Sequence, residues 1–458
     1  MIRYHARWVV PVTTPPIQDG TVVVADDRIA WVGPRAGAPP GHDVELGEVL
    51  LLPGLVNAHT HLELTALRGF LERLAFRDWL VALQRAKQAV LTPEHLLDGA
   101  RLGIAEGLLA GVTTFADTCD SGVALQAMAE QGVRGIMYQE VFGYDPAQCD
   151  ASLATLRGQV DAHRERWEDG LRHVGVSPHA PYTVSDALFA AVARYAARER
   201  LPIAVHVAES EAEERLVVAG EGEFADGFRR RGIAVAPRAR SPIALLEHTG
   251  LLAARPLLIH AVRVDARDMA LAARHGCGVA HCPTSNAKLG HGVAPLAGWL
   301  AAGVPVGLGS DSVASNNRMS LLEEARLAAL LQGAQRGDPA IVDASAALRL
   351  ATLGGAAALG LDGEIGSLEA GKQADLAAFP LDGAVAVPLH DPASAAVFAL
   401  AGRPASFVAV AGVPRVRDGR LVEEPAGLVT RVHAAASLLR AWRVAPVARP
   451  EASTPAER

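Results

Sequence analysis

Thiol chemistry is almost absent from this chain. Four cysteines, Cys119, Cys149, Cys277 and Cys282, are spread over 458 residues with no C-x-x-C among them, which argues against a disulfide framework and against a thiolate zinc site. Lysine is scarcer still, with only Lys87, Lys288 and Lys372. The net charge of −7 leaves no basic face to grip nucleic acid. No apolar run approaches the roughly 18 residues needed to span a bilayer, and the segment Met1–Trp8 lacks the apolar stretch of a secretory signal. A reducing cytoplasm is therefore the expected location. Several catalytic signatures are missing too: there is no H-E-x-x-H, no G-x-S-x-G and no Walker A sequence. His61-Leu62-Glu63 satisfies the H-x-E of zinc-dependent base deaminases, but no P-C-x-x-C follows it.

What is present is apolar mass: half the residues are hydrophobic, ample for one large domain and a smaller one. Residues 7 to 53 carry short β-branched runs, Val9–Thr13, Gly20–Ala25 and Arg28–Gly33, cut by Asp-Gly, Asp-Asp and Pro. No helical pattern separates them, so they predict part of a small β module. From Leu55 a strand, loop, helix rhythm repeats. Strands are predicted at Leu55–His61, Val112–Asp117, Arg134–Val141, His173–His179, Ile203–Glu209, Pro256–His260, Gly278–Cys282 and Val304–Asp311. Helical periodicity lies between them, as in Leu96–Ala110, Ser185–Arg200 and Asp265–Arg274. Eight strands alternating with helices are the count of an α/β (β/α)8 TIM barrel. A doubly wound sheet is the alternative, but Gly307-Leu-Gly-Ser-Asp311 is not the Gly-rich phosphate turn that such a sheet usually shows.

After a last helical stretch at Asp343–Leu359, β character returns in the turn-rich Gly363–Phe379 and in a hairpin formed by Phe407–Gly412 and Val413–Val422. The two ends are expected to form one composite β-sandwich, residues 1–53 and 363–424, around a barrel of residues 54–362. Residues 425–458 form a tail, helical over Leu428–Trp442 and then rich in Pro, Ala, Ser and Glu, which predicts disorder.

The chemistry gathers at strand ends. The first barrel strand closes on His59-Thr60-His61, and an i, i+2 spacing on a strand turns both imidazoles to one face. His179 ends the fourth strand, His206-Val-Ala-Glu209 the fifth, His260 the sixth and Asp311 the eighth. Any one of these could be a satisfied structural residue, but five strand ends bearing ligand-type side chains at the catalytic end of a barrel point to a site. A catalytic zinc-type centre takes three or four protein ligands and keeps a place for water. His59, His61, His206 and Asp311 supply that set. Glu209, three residues past a ligand, is then free to act as general acid and base, and His260 could hold or deprotonate the water. A second metal would need a bridging ligand such as a carboxylated lysine, and no lysine falls on a ligand-bearing strand end, so one metal is expected.

These segments resemble the amidohydrolase superfamily, in the branch holding triazine chlorohydrolases, guanine deaminase and S-adenosylhomocysteine deaminase. The resemblance spans about residues 20 to 425. It rests on Pro-Gly-Leu-Val-Asn-Ala-His-Thr-His (53–61), Arg68-Gly69, Gly-Val-Thr-Thr (111–114), Pro-His-Ala-Pro-Tyr-Thr (178–183), His-Val-Ala-Glu-Ser (206–210), His-Cys-Pro-Thr-Ser-Asn-Ala-Lys-Leu-Gly (281–290), Gly-Ser-Asp-Ser-Val-Ala-Ser-Asn-Asn (309–317) and Gly-Lys-Gln-Ala-Asp-Leu (371–376). Gly309-Ser-Asp-Ser312 departs from the Gly-Thr-Asp-Gly common among relatives but keeps the aspartate. The resemblance implies one divalent metal, Zn²⁺ first and Fe²⁺ second, a homodimer, and substrate contacts from His179 and Ser315. It implies hydrolytic deamination of an adenine-type nucleoside at C6, with 6-aminodeoxyfutalosine of menaquinone biosynthesis as the first substrate. The alternatives are S-adenosylhomocysteine or adenosine, guanine deamination or triazine dechlorination on the same site, and last an inactive scaffold. An acidic 5′ end would want a cation, and Arg68, Arg77 and Arg318 are the candidates near the barrel mouth.

Overall fold

The computed structural model describes residues 1–442; the predicted disorder of the Pro- and Ala-rich end lies outside the described residues. Five strands come first: β1 (Ile2–Val9), β2 (Ile17–Ala25), β3 (Arg28–Pro34), β4 (His42–Glu45) and β5 (Val49–Pro53). The barrel strands follow as β6 (Leu55–Thr60), β7 (Val112–Cys119), β8 (Arg134–Val141), β9 (Arg172–Pro178), β10 (Ala204–Val207), β11 (Leu257–His260), β12 (Gly278–His281) and β13 (Val306–Leu308). β14 (Leu376–Pro380), β15 (Phe407–Val410), β16 (Val413–Arg417) and β17 (Arg420–Leu421) complete the set. All eight predicted barrel strands are found.

The barrel is laid down as two parallel four-stranded sheets, β6-β7-β8-β9 and β10-β11-β12-β13. Two single bridges close it, Val176 to Ile203 between the halves and Thr60 to Asp311 back to the first strand. The second seam runs through the candidate site itself, where the Asp311 N–H donates to the His59 carbonyl at 2.9 Å. Gly309 makes this approach possible, because a Cβ there would lie 2.8 Å from the His59 Cβ and 2.9 Å from the Cys282 Sγ.

Strands from both chain ends join in one mixed sheet of order β17-β16-β15-β14-β5-β1-β2-β3, with β4 paired to β1. The join is antiparallel, β14 against β5, with Ala378 opposite Leu51. β5 (Val-Leu-Leu-Leu-Pro) is apolar throughout because both its faces are covered. Leu50 and Leu52 pack into the large barrel core, while Val49 and Leu51 face the sheet's own core. β1 and β15 are three strands apart, about 14 Å at ordinary strand spacing, yet the Tyr4 and Phe407 rings are 5.1 Å apart. The sheet therefore curls on itself, and its concave side is the small module's core.

An ion pair pins this module to the barrel. Arg134 at the start of β8 donates from Nε to Asp375 Oδ2 at 3.0 Å, with both side chains buried. Asp375 also accepts from the Ala411 N–H at 2.7 Å. Asp375→Ala would strand a buried guanidinium, so unfolding free energy should fall by about 3–5 kcal/mol, to be read from denaturant titration. A loss below about 1 kcal/mol would mean that water replaces the carboxylate without cost.

The C-terminal helix, Leu428–Ala441, buries Leu428, Val432, Ala435 and Leu439 at helical spacing. They pack on Leu64, Leu67 and Leu71 from the loop after β6 and on Trp79 from the helix Phe76–Val90. The tail thus backs the segment that forms one side of the barrel mouth.

Candidate active site

The strand ends converge as their sequence positions predict. His59 and His61 lie at the end of β6 with ring centroids 4.8 Å apart. The ring of His206, on β10, stacks on that of His61 at 5.3 Å and 11° and lies 5.0 Å from that of His59. The ring of His260, the last residue of β11, is 5.7 Å from that of His59. Asp311 Oδ1 is 3.4 Å from His59 Nε2 and 3.7 Å from His61 Nε2. Ala208, His260, Ala261 and Asp311 all have left-handed backbone, with φ of 53°, 70°, 45° and 55°. Such conformations cost roughly 1–3 kcal/mol each and persist where surrounding structure holds them. Here they turn the chain sharply at the strand ends and aim the side chains inward.

Donor chemistry fits a divalent cation. His59 Nε2 is buried without a hydrogen-bond partner, and His61 Nε2 faces His206 Nε2 at 3.3 Å. Single ligand atoms of His59, His61 and His206 lie within 4.8 Å of one another, as do those of His59, His260 and Asp311. His206 Nδ1 donates to the His179 carbonyl at 3.1 Å, and His61 Nδ1 is 3.3 Å from Thr118 Oγ1. Assigned so, the tautomers leave the Nε2 lone pairs free to ligate. Burial keeps the imidazoles neutral, pulling His61 down to about 3 and His206 well below its ordinary value, so a cation need displace no proton. Burial works against charge on Asp311, but the His59 imidazole 3.4 Å away and the His260 and His61 rings beyond it outweigh that and hold the carboxyl well below its usual range. Ser285 and Ser315 hydroxyls donate to Asp311 Oδ2 and the Ser312 N–H donates to Oδ1.

Glu209 stands beside this cluster. Its Oε1 is 3.6 Å from His260 Nε2 and 3.2 Å from His291 Nε2, and Oε2 accepts from the Tyr182 hydroxyl at 3.3 Å. Burial would raise its pKa, but His260 and His291 draw it down to about 2 and keep it ionised. Glu213, buried on the following helix, accepts from the N–H groups of Ala208 and Glu209 at 2.7 and 2.9 Å and so braces the turn.

A cavity of about 810 Å³ opens over these groups. Its floor carries His61, His179, His206, His260, Glu209 and Asp311. Aromatic rings form the walls: Tyr182 stacks on Phe224 at 4.7 Å and Tyr144 on Phe228 at 3.6 Å, with Phe76 edge-on to Tyr182. Arg77, Arg85, Arg230 and Arg231 stand among its lining, Arg77 near Glu223.

His179 occupies the predicted place, its Nδ1 2.8 Å from Thr183 Oγ1 and its Nε2 toward Glu140. Ser315 does not. It is buried behind Asp311, with its hydroxyl spent on Asp311 Oδ2, and is absent from the cavity wall. Of the three arginines, only Arg77 lines the cavity. Arg68 is drawn away by Glu106 and Arg318 by Glu323, each on the outer surface. Sequence reasoning assigned no role to Tyr182, Glu213, His291 or the Lys87–Glu63–Asp120 cluster. Tyr182 sits inside Pro-His-Ala-Pro-Tyr-Thr, but the others lie on helices and loops whose paths strand counting does not predict.

A (β/α)8 barrel with neutral imidazoles and an ionised aspartate gathered at its strand ends is the framework of a metal-assisted hydrolase. The chain belongs to the amidohydrolase family, whose model matches residues 50–413. It is 36% identical over 412 residues, 88% of this chain and 91% of the relative, to a 5-methylthioadenosine/S-adenosylhomocysteine deaminase of Moorella thermoacetica. A protein of the same name from Nitratidesulfovibrio vulgaris is 36% identical over 409 residues, 88% of each chain. Among solved structures, a zinc-bound adenosine deaminase from Xanthomonas campestris superposes with a TM-score of 0.86 at 32% identity, covering 96% of this chain and 99% of that one. The zinc complex of atrazine chlorohydrolase from Arthrobacter aurescens gives 0.82 at 26%, covering 96% and 100%. No helix among the described residues is long and apolar enough to cross a membrane.

Proposed function

We propose that this hydrolase is a mononuclear metal-dependent aminohydrolase that removes the 6-amino group of a 5′-substituted adenine nucleoside, with S-adenosylhomocysteine as the first candidate. The observation that carries the reading is Glu209 at the floor of a cavity of about 810 Å³, beside the cluster of His59, His61 and His206 and the neighbouring Asp311. His59, His61, His206 and Asp311 would hold the cation, Zn²⁺ first. When bound, it supplies Lewis acidity that lowers the pKa of water from about 15.7 toward 7.

Glu209 accepts a proton from water and delivers it to N1, which makes C6 electrophilic. The water oxygen bonds to C6, with His260 and Asp311 orienting it. The second water proton passes through Glu209 or Asp311 to the amine, the C6–N bond breaks, and ammonia leaves a 6-oxopurine. His179 meets the purine from the cavity floor beside His206, and the aromatic rings of the walls cover its faces.

The names of the relatives favour S-adenosylhomocysteine and 5′-methylthioadenosine over 6-aminodeoxyfutalosine, which rests on sequence pattern alone. Arg77, Arg85, Arg230 and Arg231 favour a 5′ substituent bearing a carboxylate over the neutral methylthio group. Ammonia release from S-adenosylhomocysteine, 5′-methylthioadenosine, 6-aminodeoxyfutalosine, adenosine and guanine tests this directly. S-adenosylhomocysteine should have the highest kcat/KM. Dialysis against chelator should abolish the activity, and one equivalent of Zn²⁺ should restore it. Metal-loaded protein inert on all five would overturn the purine reading.

A further inference from the structure

Three groups reach the Glu209 carboxyl, and two of them, His260 and Tyr182, also line the cavity. The third does not. The His291 side chain is only 4% exposed and sits behind Glu209, off the cavity wall, with Nε2 3.2 Å from Oε1. This nitrogen lacks the alignment of a formed hydrogen bond and has no other partner, the looseness expected of catalytic contacts before substrate binds.

The placement is built. Gly290 and Gly292 on either side have φ of 77° and 99°, which suit glycine and turn the chain sharply about the histidine. The His291 N–H donates to the Asn286 carbonyl at 2.8 Å, and the same asparagine's Oδ1 lies 3.0 Å from His260 Nδ1. One residue therefore sets both imidazoles that flank Glu209. The Phe76 ring meets His291 edge-on at 4.5 Å and holds its plane.

We infer that His291 is a positioning residue for the general acid/base: its Nε2–H holds Glu209 Oε1, so that the carboxyl keeps one rotamer while its proton comes and goes. This rests on Glu209 carrying the proton in the deamination proposed above. His291 reaches no substrate atom from behind the wall, so its whole effect must pass through Glu209. The position of the donor matters as well. A glutamine amide nitrogen can stand where Nε2 does, and an asparagine amide nitrogen falls nearer Nδ1.

The test is steady-state kinetics on zinc-loaded H291Q, H291N, H291A, E209Q and the E209Q/H291A pair, with metal content and melting temperature measured on each. H291A and H291N should lower kcat roughly 10- to 100-fold with KM little changed and one metal per chain retained. H291Q should recover most of that loss. In the E209Q background, H291A should cost less than about twofold more, because the two act as one unit. Wild-type kcat in H291A and H291N overturns the inference. So do full additivity with E209Q, an H291Q as slow as H291N, and a loss that tracks metal content. Should H291A fail to fold, the comparison of H291Q with H291N decides the same question. A wild-type rate in E209Q is a different result: it removes Glu209 from the chemistry, and the role of His291 falls with it.

Discussion

His206→Ala should yield folded protein that loses its metal on dialysis and turns over its nucleoside more than about 10³-fold more slowly. His206 sits at the centre of the cluster, with its ring centroid about 5 Å from those of His59, His61 and His179. Its Nε2 faces His61 Nε2 at 3.3 Å, and its Nδ1 is tied to the His179 carbonyl. Alanine removes both the lone pair and the hydrogen bond that orients it. Two imidazoles of one strand, His59 and His61, are left with Asp311. The fold should survive because His206 touches the other site imidazoles, while the packing of β10 rests on Val205 and Val207 in the core. Metal analysis alongside kinetics decides the matter: full metal occupancy with full turnover would remove His206 from the ligand set.

Glu209→Gln separates metal binding from proton transfer. The amide keeps the shape of the side chain and its contacts with Tyr182 and His291, but it cannot accept a proton from water. Turnover should fall roughly 10²- to 10⁴-fold with the metal still bound. Because the missing interaction acts only in the transition state, kcat and kcat/KM should fall together. A rise in KM at unchanged kcat would instead make Glu209 a binding residue. Unlike His206→Ala, this variant should keep its metal through dialysis, so its lost turnover cannot be traced to an empty site.

Most of the scaffold was legible because it is written in local periodicities. Each barrel strand shows as a short apolar run, and each helix between them as a 3.6-residue pattern. The observed β8, Arg134–Val141, coincides with its predicted span. The convergence of the candidate ligands was legible for the same reason. A residue that ends a parallel barrel strand points to the catalytic mouth, and His59, His206 and His260 stand at or next to such ends. Ser315 shows where that rule stops. It lies four residues beyond Asp311, in a loop that doubles back, and its hydroxyl turns to the carboxylate instead of the cavity. Arg68 and Arg318 fail similarly, since each finds a carboxylate on the outer surface before it can reach the mouth.

By itself, then, the sequence determined the barrel, the composite sheet from both chain ends, the His-x-His pair and the convergence of the strand-end histidines and aspartate. All follow from spacing along single strands and helices, which the backbone geometry translates directly into direction. Tertiary structure alone decided how the barrel closes through single bridges at Val176–Ile203 and Thr60–Asp311. It also decided that the nine-stranded sheet curls until Tyr4 meets Phe407, that Arg77 faces the cavity, that Glu213 braces the turn at Glu209, and that His291 comes to rest beside the Glu209 carboxyl. These depend on where loops and helices distant in sequence come to rest. That is set by packing and by left-handed turns such as those at Ala208, His260 and Asp311, which carry no periodic signal along the chain.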